Sequence, residues 1–469
     1  MSELRGSLAG GSLVTKLRGV LRALPYIAVA ALLIVAPLSA NAQPRLATGG
    51  QRQGVYAHRI VVGGIVSELG SFVNFSPVFD GVTAYFNTVN AAGGVYGRKL
   101  DLAYKLNDSV SPATDAEDAR TLVEQDHVFA VVGVETPSFS GATFLRSHQV
   151  PTFGTGINTN ATWANSPVMF GSYGSYQAFG YPAPMWSYLP QQLGDHTVAV
   201  LAYNIIQSQQ GCTGAVNSFK KFGIKVGYEN MSLPIPLTGM NAVVQRMKSA
   251  HVGLVVSCMD LSGNVTLSNA LHQQGMGNVH QLWMSGYDPS AVKSEGAAME
   301  GAYTIISNVP FDAPSLHPGS YPGMAAFLAA MKRYYPGEQP NEAALSGWVN
   351  ANLFVDGLRA AGPYLTRSRL VNAINHMKSF TAGRILAPIN WEVSHTTTTP
   401  GDCQVYLQVR NGRFVPAFPS RTTVWTCFYY PYQFTNPPKP IVPIPATPGG
   451  VGILPRTAVL PGQHKSPTP

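Results

Sequence analysis

"VNAAGGVYGRKLDLAYKLNDSVSP", residues 89–112, places two glycine clusters and a basic pair between an apolar-striped segment and an alternating one. Upstream, Val78, Phe79, Val82, Tyr85, Phe86 and Val89 recur at helical spacing behind Ser76-Pro77, a cap and first-turn pair. Downstream, Leu100, Leu102 and Tyr104 alternate with Lys99, Asp101, Ala103 and Lys105, the pattern of a half-buried strand. A phosphate-binding loop runs from strand through glycines into a helix whose first N–H groups face the anion. Here the glycines leave a helix and no Gly-Lys-Ser/Thr follows, so residues 93–99 read as a helix-to-strand turn.

From residue 60 the chain keeps alternating. Strand-like runs fall at 60–66, 100–104, 129–134, 150–153, 198–203, 226–229, 253–257, 281–284 and 302–307, with amphipathic stretches at 113–125, 211–222, 242–250 and 265–274 between them. Such alternation predicts an α/β fold of parallel sheets covered by helices on both faces. Two segments break the rhythm. Residues 155–188, aromatic and rich in Gly, Ser, Asn and Pro, suit a crossing between two lobes, and 285–289 lead towards 302–307 and a return to the first lobe.

The ends are of different composition. Lys16, Arg18 and Arg22 precede an apolar run at 23–40, and Ala40-Asn41-Ala42 fits a small-residue cleavage site, so 1–42 read as a secretory signal peptide with a retained membrane anchor as the alternative. No cysteine follows the run, which argues against a lipoprotein. Residues 43–58 read as a flexible lead-in, and 428–469, dominated by Pro and Gly, as a disordered tail. Export to the periplasm or cell exterior is thus expected.

The formal charge of +8 over 469 residues falls to about +5 without residues 1–42. With 12% charged residues and no Lys/Arg run, nucleic-acid binding has no support. In an exported chain the four cysteines read as disulfides. Cys212 follows the strand at 198–203 and Cys258 ends the next but one; Cys403 and Cys427 flank a hairpin with an Asn411-Gly412 turn. The pairing 212 with 258 and 403 with 427 is expected out of three possible connectivities. No HExxH, CxxC or Gly-x-Ser-x-Gly occurs, the eleven histidines show no ligand spacing, and neither a metal, a cofactor nor catalysis is expected.

In order along the chain, "VNAAGGVYGRKLDLAYKLND", "ATDAEDARTLVEQDHVFAVVG" and "VPTFGTG" resemble the type I periplasmic binding proteins, in particular the leucine/isoleucine/valine-binding branch serving ABC importers. The resemblance runs from about residue 60 to about 418. It implies two doubly wound lobes joined by a three-segment hinge, with a ligand cleft between them: 59–177 with 302–365, and 178–301 with 366–427. That placement also follows from the rule that open α/β sheets bind ligands beyond the carboxyl ends of their strands.

The resemblance also implies site residues. Thr136 and Ser138, after the 129–134 strand, match the segment whose hydroxyls and N–H groups grip a carboxylate, although Ser138 equally suits a helix cap. In Thr155-Gly156-Ile157-Asn158, Gly156 supplies backbone and Asn158 stands where the family has a hydroxyl. Phe72 or Phe75 is the expected first-loop aromatic, and Tyr203 a second-lobe candidate, each equally suited to core packing. Tyr287-Asp288 falls where the family carries its acidic anchor for an ammonium, with Asp260 as the other option. Expected partners are a small solute and the permease subunits of an importer, the chain itself acting as a monomer. A branched-chain amino acid, small amide, urea-like solute or organic acid remains open as ligand. A ligand-sensing module and a secreted hydrolase are the competing functions.

Overall fold

The computed structural model describes residues 50–70, 73–155, 162–175, 182–396, 403–418 and 420–428. The expected signal segment at 1–42 and the tail beyond 428 lie outside them, as do Phe72, Gly156 and Asn158.

The first sheet is built from β1 (Arg59–Val66), α1 (Pro77–Ala91), β4 (Lys99–Asn107), α2 (Pro112–Arg120), β5 (Ala130–Glu135), α3 (Ala142–Ser147), β6 (Thr152–Gly154) and β7 (Met169–Gly171), with a small hairpin of β2 (Glu68–Leu69) and β3 (Val73–Asn74) after β1. Strand order is β4-β1-β5-β6-β7, all parallel. Both faces are buried: Ile60, Val62, Ala130, Val132 and Phe153 face one core, Val61, Ile65, Val131 and Val134 the other. This is why β1 and β5 read as continuous apolar runs, whereas β4 at the sheet edge alternates.

The opening stretch forms the turn its pattern predicts. Asn90 clamps helix to strand, its amide accepting from Leu100 N and donating to Leu100 O, both at 2.8 Å. Gly93, Gly94 and Gly97 have φ of 98°, 78° and 74°, and a side chain at Gly94 would run into the Arg98 carbonyl. The N–H groups of Gly93, Gly94 and Val95 are bonded to Asn90, Val89 and Arg98 carbonyls, so they are not available to an anion. One detail differs: Ser76 does not cap α1 through its side chain, and Asn74 Oδ1 accepts from Ser76 N and Oγ instead.

The second half runs α4 (Pro184–Leu193), β8 (Thr197–Tyr203), α5 (Ile206–Lys221), β9 (Lys225–Leu233), α6 (Met240–Ser249), β10 (Leu254–Cys258), α7 (Leu261–Gln273), β11 (His280–Trp283), α8 (Val292–Met299) and β12 (Tyr303–Ile306). It continues with α9 (Ala313–Leu316), α10 (Pro322–Tyr334), α11 (Glu342–Ala361), α12 (Arg367–Asn375), α13 (Trp391–Ser394), β13 (Cys403–Arg410), β14 (Arg413–Pro416) and β15 (Thr426–Cys427). The second sheet has the order β14-β13-β12-β11-β10-β8-β9, with β15 beside β13. Its two faces again bury alternate residues, Val198, Val200 and Val256 on one side and Ala199, Leu201 and Val255 on the other.

The expected lobe composition needs correction at two places. The strand at 302–307 does not return to the first lobe: β12 pairs β11 through Leu282↔Tyr303 and β13 through Tyr303↔Gln408, and Tyr303 and Ile305 fill the second lobe's core. The return is made by helices. α10 and α11 pack on α1, and α12 packs on α11 although 366 onwards was expected in the second lobe. Buried Arg367 secures α12 there by donating to the Phe129 and Val128 carbonyls at 2.9 and 2.6 Å. α1 and α11 approach so closely that a side chain at Gly81 or Gly347 would strike backbone of the opposite helix.

Within the expected flexible lead-in, residues 50–55 are instead anchored, Val55 bridging Ile60 and Gln53 Nε2 donating to Val123 O, while 56–58 are exposed. Phe428, taken as the start of the tail, is 2% exposed and packs against Tyr188 and Tyr406. Cys212 and Cys258 are bonded with their Cα atoms 5.8 Å apart, and Cys403 and Cys427 are bonded across the β13/β15 register. Asn411 and Gly412, at φ 52° and 69°, turn the chain between β13 and β14.

Candidate ligand-binding site

The carboxyl ends of β5 in the first sheet and β8 in the second lead into loops that face one another. Between them lies a cleft of about 580 Å³ lined by Pro137–Ser140 and Thr162 on one side and by 204–207 and Gln209 on the other. Gln207 Nε2 donates to the Pro137 carbonyl at 2.6 Å and bridges the two walls. The surface is mixed. Ser138 and Ser140 bring hydroxyls, while Ile205 and Ile206 are 45% and 58% exposed on the opposite wall, unusual for residues of that type.

Of the residues expected at the site, Ser138 lines this cleft. It caps nothing, since α3 begins at Ala142 behind Gly141, and its hydroxyl lies 3.4 Å from that of Ser140. Thr136 is 1% exposed and hydrogen-bonds inward to Asp115, so its hydroxyl supports the loop from beneath rather than facing the cleft. Asp115 in turn accepts from Gly141 N at 2.6 Å, and burial pushes its carboxyl up to about 7 against that hydrogen bond. Phe75 packs half-buried against Val66, Val78 and Phe79.

In the second lobe, Tyr203 is 6% exposed and donates to Asp260 Oδ1 at 2.6 Å. The same oxygen caps α7 through Gly263 N at 2.9 Å, so these two candidates are engaged with each other. Tyr287 is a core residue: its ring stacks on Phe311 at 5.3 Å and its oxygen accepts from Phe311 N. It starts an aromatic chain through Phe311, Phe327, Trp348 and Tyr85 that ties the second lobe to α1 of the first. Asp288, half-buried, spends Oδ1 on its own turn, accepting from Ser290 N, Ser290 Oγ and Ala291 N.

Two acids outside the expected set lie at the end of β5 and the start of α11. Glu135, the last residue of β5, is 6% exposed and accepts from Ser346 Oγ at 2.7 Å; burial pushes it up to about 7. Glu342, the first residue of α11, is pushed up to about 8 by burial and by the charges of Glu135 and Asp288. Ser346 also contacts Thr155 Oγ1 at 2.7 Å, Thr155 contacts Ser172 at 3.1 Å, and Ser172 donates to Asn350 Oδ1 at 2.8 Å. The sequence signal was a glutamate closing an apolar strand run, VVGVE, a position at which burial shifts a carboxyl strongly.

Residues 59–413 match the family described as periplasmic binding protein. The chain belongs to that family. These are binding proteins and not enzymes, which removes the hydrolase reading. Among solved structures, this periplasmic binding protein is similar to a fatty acid ABC transporter substrate-binding protein from Thermomonospora curvata, with a TM-score of 0.64, 18% identity, and 79% of this chain and 95% of that one covered. It is similar to a leucine-binding protein from Thermotoga maritima (TM-score 0.61, 17% identity, 76% and 98% covered). A third is an R. palustris ABC transporter solute-binding protein in complex with benzoate (TM-score 0.60, 16% identity, 76% and 95% covered). These likenesses establish the two-lobed α/β fold of the type I branch. No curated protein matches the chain by sequence.

Proposed function

We propose that this periplasmic binding protein is the extracytoplasmic solute-binding subunit of an ABC importer, closing its two lobes around a small polar or amphipathic solute and presenting the closed form to permease subunits. The observation that carries this reading is the cleft at the carboxyl ends of β5 and β8, where the hydroxyls of Ser138 and Ser140 lie opposite exposed Ile205 and Ile206 and the Gln207 side chain bridges the walls. Ser138 lines the first wall, and Gly156, Asn158 and Asp288 are candidates on the resemblance alone. Thr136, Tyr203 and Tyr287 shape those walls from behind. A solute that touches both walls favours the closed form by its differential affinity, which is all that closure requires.

A panel of amino acids, amides, carboxylates and amines, screened by thermal shift and followed by small-angle scattering, tests this. A binding solute at 100 times its Kd adds about 2.7 kcal/mol to native stability. It is expected also to reduce the radius of gyration. Binding without compaction overturns hinge closure, and uptake by membrane vesicles carrying a cognate permease separates transport from sensing.

A further inference from the structure

The fold gathers charge that the sequence scatters. Segments 51–60, 91–100 and 359–369 carry seven Lys and Arg and no Asp or Glu, in a chain with 31 of the former and 23 of the latter. Arg367 is buried and Arg98 half-buried, while Arg52, Arg59, Lys99, Arg359 and Arg369 are exposed. The three segments meet at one pole of the first lobe. Gln51 Oε1 accepts from Ser368 N at 2.9 Å, Lys99 N donates to His58 O at 2.9 Å, Arg98 Nε donates to Tyr56 O at 3.0 Å, and the Tyr96 hydroxyl donates to Arg359 O. Asp101 and Asp356 pair with Arg59 and Arg359 at 3.6 and 3.4 Å. Among the described residues Arg52, Arg98, Lys99 and Arg369 have no acidic partner.

The same pole carries exposed aromatic surface. Tyr56, Tyr96 and Tyr364 are 47%, 45% and 76% exposed, three of the eight large apolar or aromatic side chains that stand out in this way among the described residues. Arg59 lies over the Tyr56 ring at 5.1 Å and Arg369 donates to Tyr364 O at 3.2 Å, so rings and guanidinium groups share one surface. A basic group at a helix carboxyl end ordinarily answers the helix dipole, which accounts for Arg359 in the last turn of α11. It does not account for Arg59 and Lys99 at strand starts, for Arg98 in a turn, or for the tyrosines.

Arg59 and Lys99 open β1 and β4, whereas the cleft lies at the carboxyl end of β5, and the three strands are parallel. The pole and the cleft thus occupy opposite ends of one sheet. The chain enters the pole at residue 50, and the nine residues 41–49 that separate it from the apolar run at 23–40 span at most about 30 Å. Tyrosine settles at the headgroup level of a bilayer, and Arg and Lys meet lipid phosphates there. The extracytoplasmic location of the family puts lipid, and not nucleic acid, within reach.

We propose that this pole is a docking surface for an anionic phospholipid bilayer, its tyrosines entering the headgroup layer and its basic side chains meeting lipid phosphates, with the solute cleft at the other end of the sheet left free. A guest then enters and leaves without disturbing the contact, and docking is independent of which solute the cleft takes.

The test floats the purified full-length protein with vesicles of phosphatidylcholine, with and without phosphatidylglycerol, at low salt and at about 1 M, where the Debye length is about 3 Å. Amide hydrogen exchange on the same samples separates contact at this pole from insertion of the 23–40 run. Binding is expected to require phosphatidylglycerol and to be lost at high salt, with exchange slowed in 51–59, 91–99 and 359–369 and unchanged at 137–140 and 204–209. Replacing Arg52, Lys99 and Arg369 together by Gln is expected to weaken this binding about 100-fold, at about fivefold for each basic group near the surface. Tyr364→Ser, at a side chain too exposed to matter to the fold, is expected to weaken it about fivefold, the worth of about 40 Å² of ring buried in the headgroup layer. Equal binding by wild type and both variants overturns the assignment to these residues, as does exchange protection confined to other segments. Equal flotation with and without phosphatidylglycerol, unaffected by salt, overturns docking through charge. Retention on heparin or RNA with no binding to vesicles makes a soluble polyanion the occupant and overturns the membrane proposal.

Discussion

In the first lobe Glu135 is buried and accepts from Ser346, neither Glu135 nor Glu342 forms an ion pair among the described residues, and a chain of hydroxyls through Ser346, Thr155 and Ser172 ends at Asn350, whose NH₂ has no partner there. On the second-lobe side, Tyr203 bonds Asp260, Asp260 caps α7, Ser208 accepts from Tyr203 N and donates to the Cys258 carbonyl, and Cys258 is joined to Cys212. One wall holds unmet interactions and the other is internally satisfied. A binding protein that must open and close can use this asymmetry. Under the proposed binding cycle the satisfied side is a fixed platform, whereas the unmet donor on the other is available to a guest.

The largest expected effect comes from unfastening the platform. The Cys212–Cys258 bond spans 46 residues and the Cys403–Cys427 bond 24, for which chain entropy gives about 4 and about 3.5 kcal/mol. Replacing both members of the first pair by Ala is expected to lower unfolding free energy by about 4 kcal/mol in a denaturant titration while leaving the pH response of the first wall unchanged. A loss under about 1 kcal/mol would show that the platform is held by packing alone.

Stability against pH probes the other wall, and here the sign matters. Burial raises Glu135 to about 7, Glu342 to about 8 and Asp115 to about 7, so the folded chain holds these protons more tightly than the unfolded one. Their contribution is complete below the ordinary carboxylate range and is lost as pH rises through 7 to 8, each group giving a slope of at most about 1.4 kcal/mol per pH unit. His395, buried among Phe170 and Trp391 and lowered to about 4 by burial, acts in the opposite sense, its contribution being lost as pH falls from its ordinary value of 6.5. Melting temperature is therefore expected to rise from pH 8 towards about 6 and to fall again below about 5. Glu342→Gln should flatten the alkaline limb. A limb unchanged in that variant would mean that other carboxyls carry it.

How much of this was readable beforehand follows the same division. Two-faced burial writes itself into sequence as apolar runs, so β1, β5, β8 and β10 were legible to within a residue or two, and the turn after α1 was fixed by Gly94 and Asn90. β12 was misassigned because a short apolar strand looks the same in either sheet, and only its pairing with β11 and β13 tells them apart. Glu135 and Glu342 were passed over because a carboxyl's meaning depends on what does not surround it. A missing counter-charge is a property of several segments at once, here the end of β5, the start of α11 and the loop at Asp288. Tyr203 and Asp260 were each found as candidates, but that they engage one another is visible only once β8 and α7 are adjacent.

The smallest expected effect tests whether that engagement is all the pair does. Tyr203→Phe removes the hydroxyl that donates to Asp260 at 2.6 Å but leaves the ring in its core, where it is 6% exposed. Asp260 is itself exposed and keeps its bond from Gly263 N, so water can replace the lost donor and α7 stays capped. The cost is expected to be about 1 kcal/mol, that of one ordinary hydrogen bond. Asp260→Ala removes the cap as well and is expected to cost about 1 kcal/mol more. Neither substitution should alter the limb of the stability curve between pH 6 and 8, which belongs to the first wall, and solute affinity should stay within about twofold, since a 1.4 kcal/mol loss would already show as tenfold. Denaturant titration and calorimetry on the two variants read both quantities. A drop in affinity of tenfold or more in Tyr203→Phe would show that the hydroxyl leaves Asp260 for the solute on closure, so that the second wall also keeps an interaction in reserve.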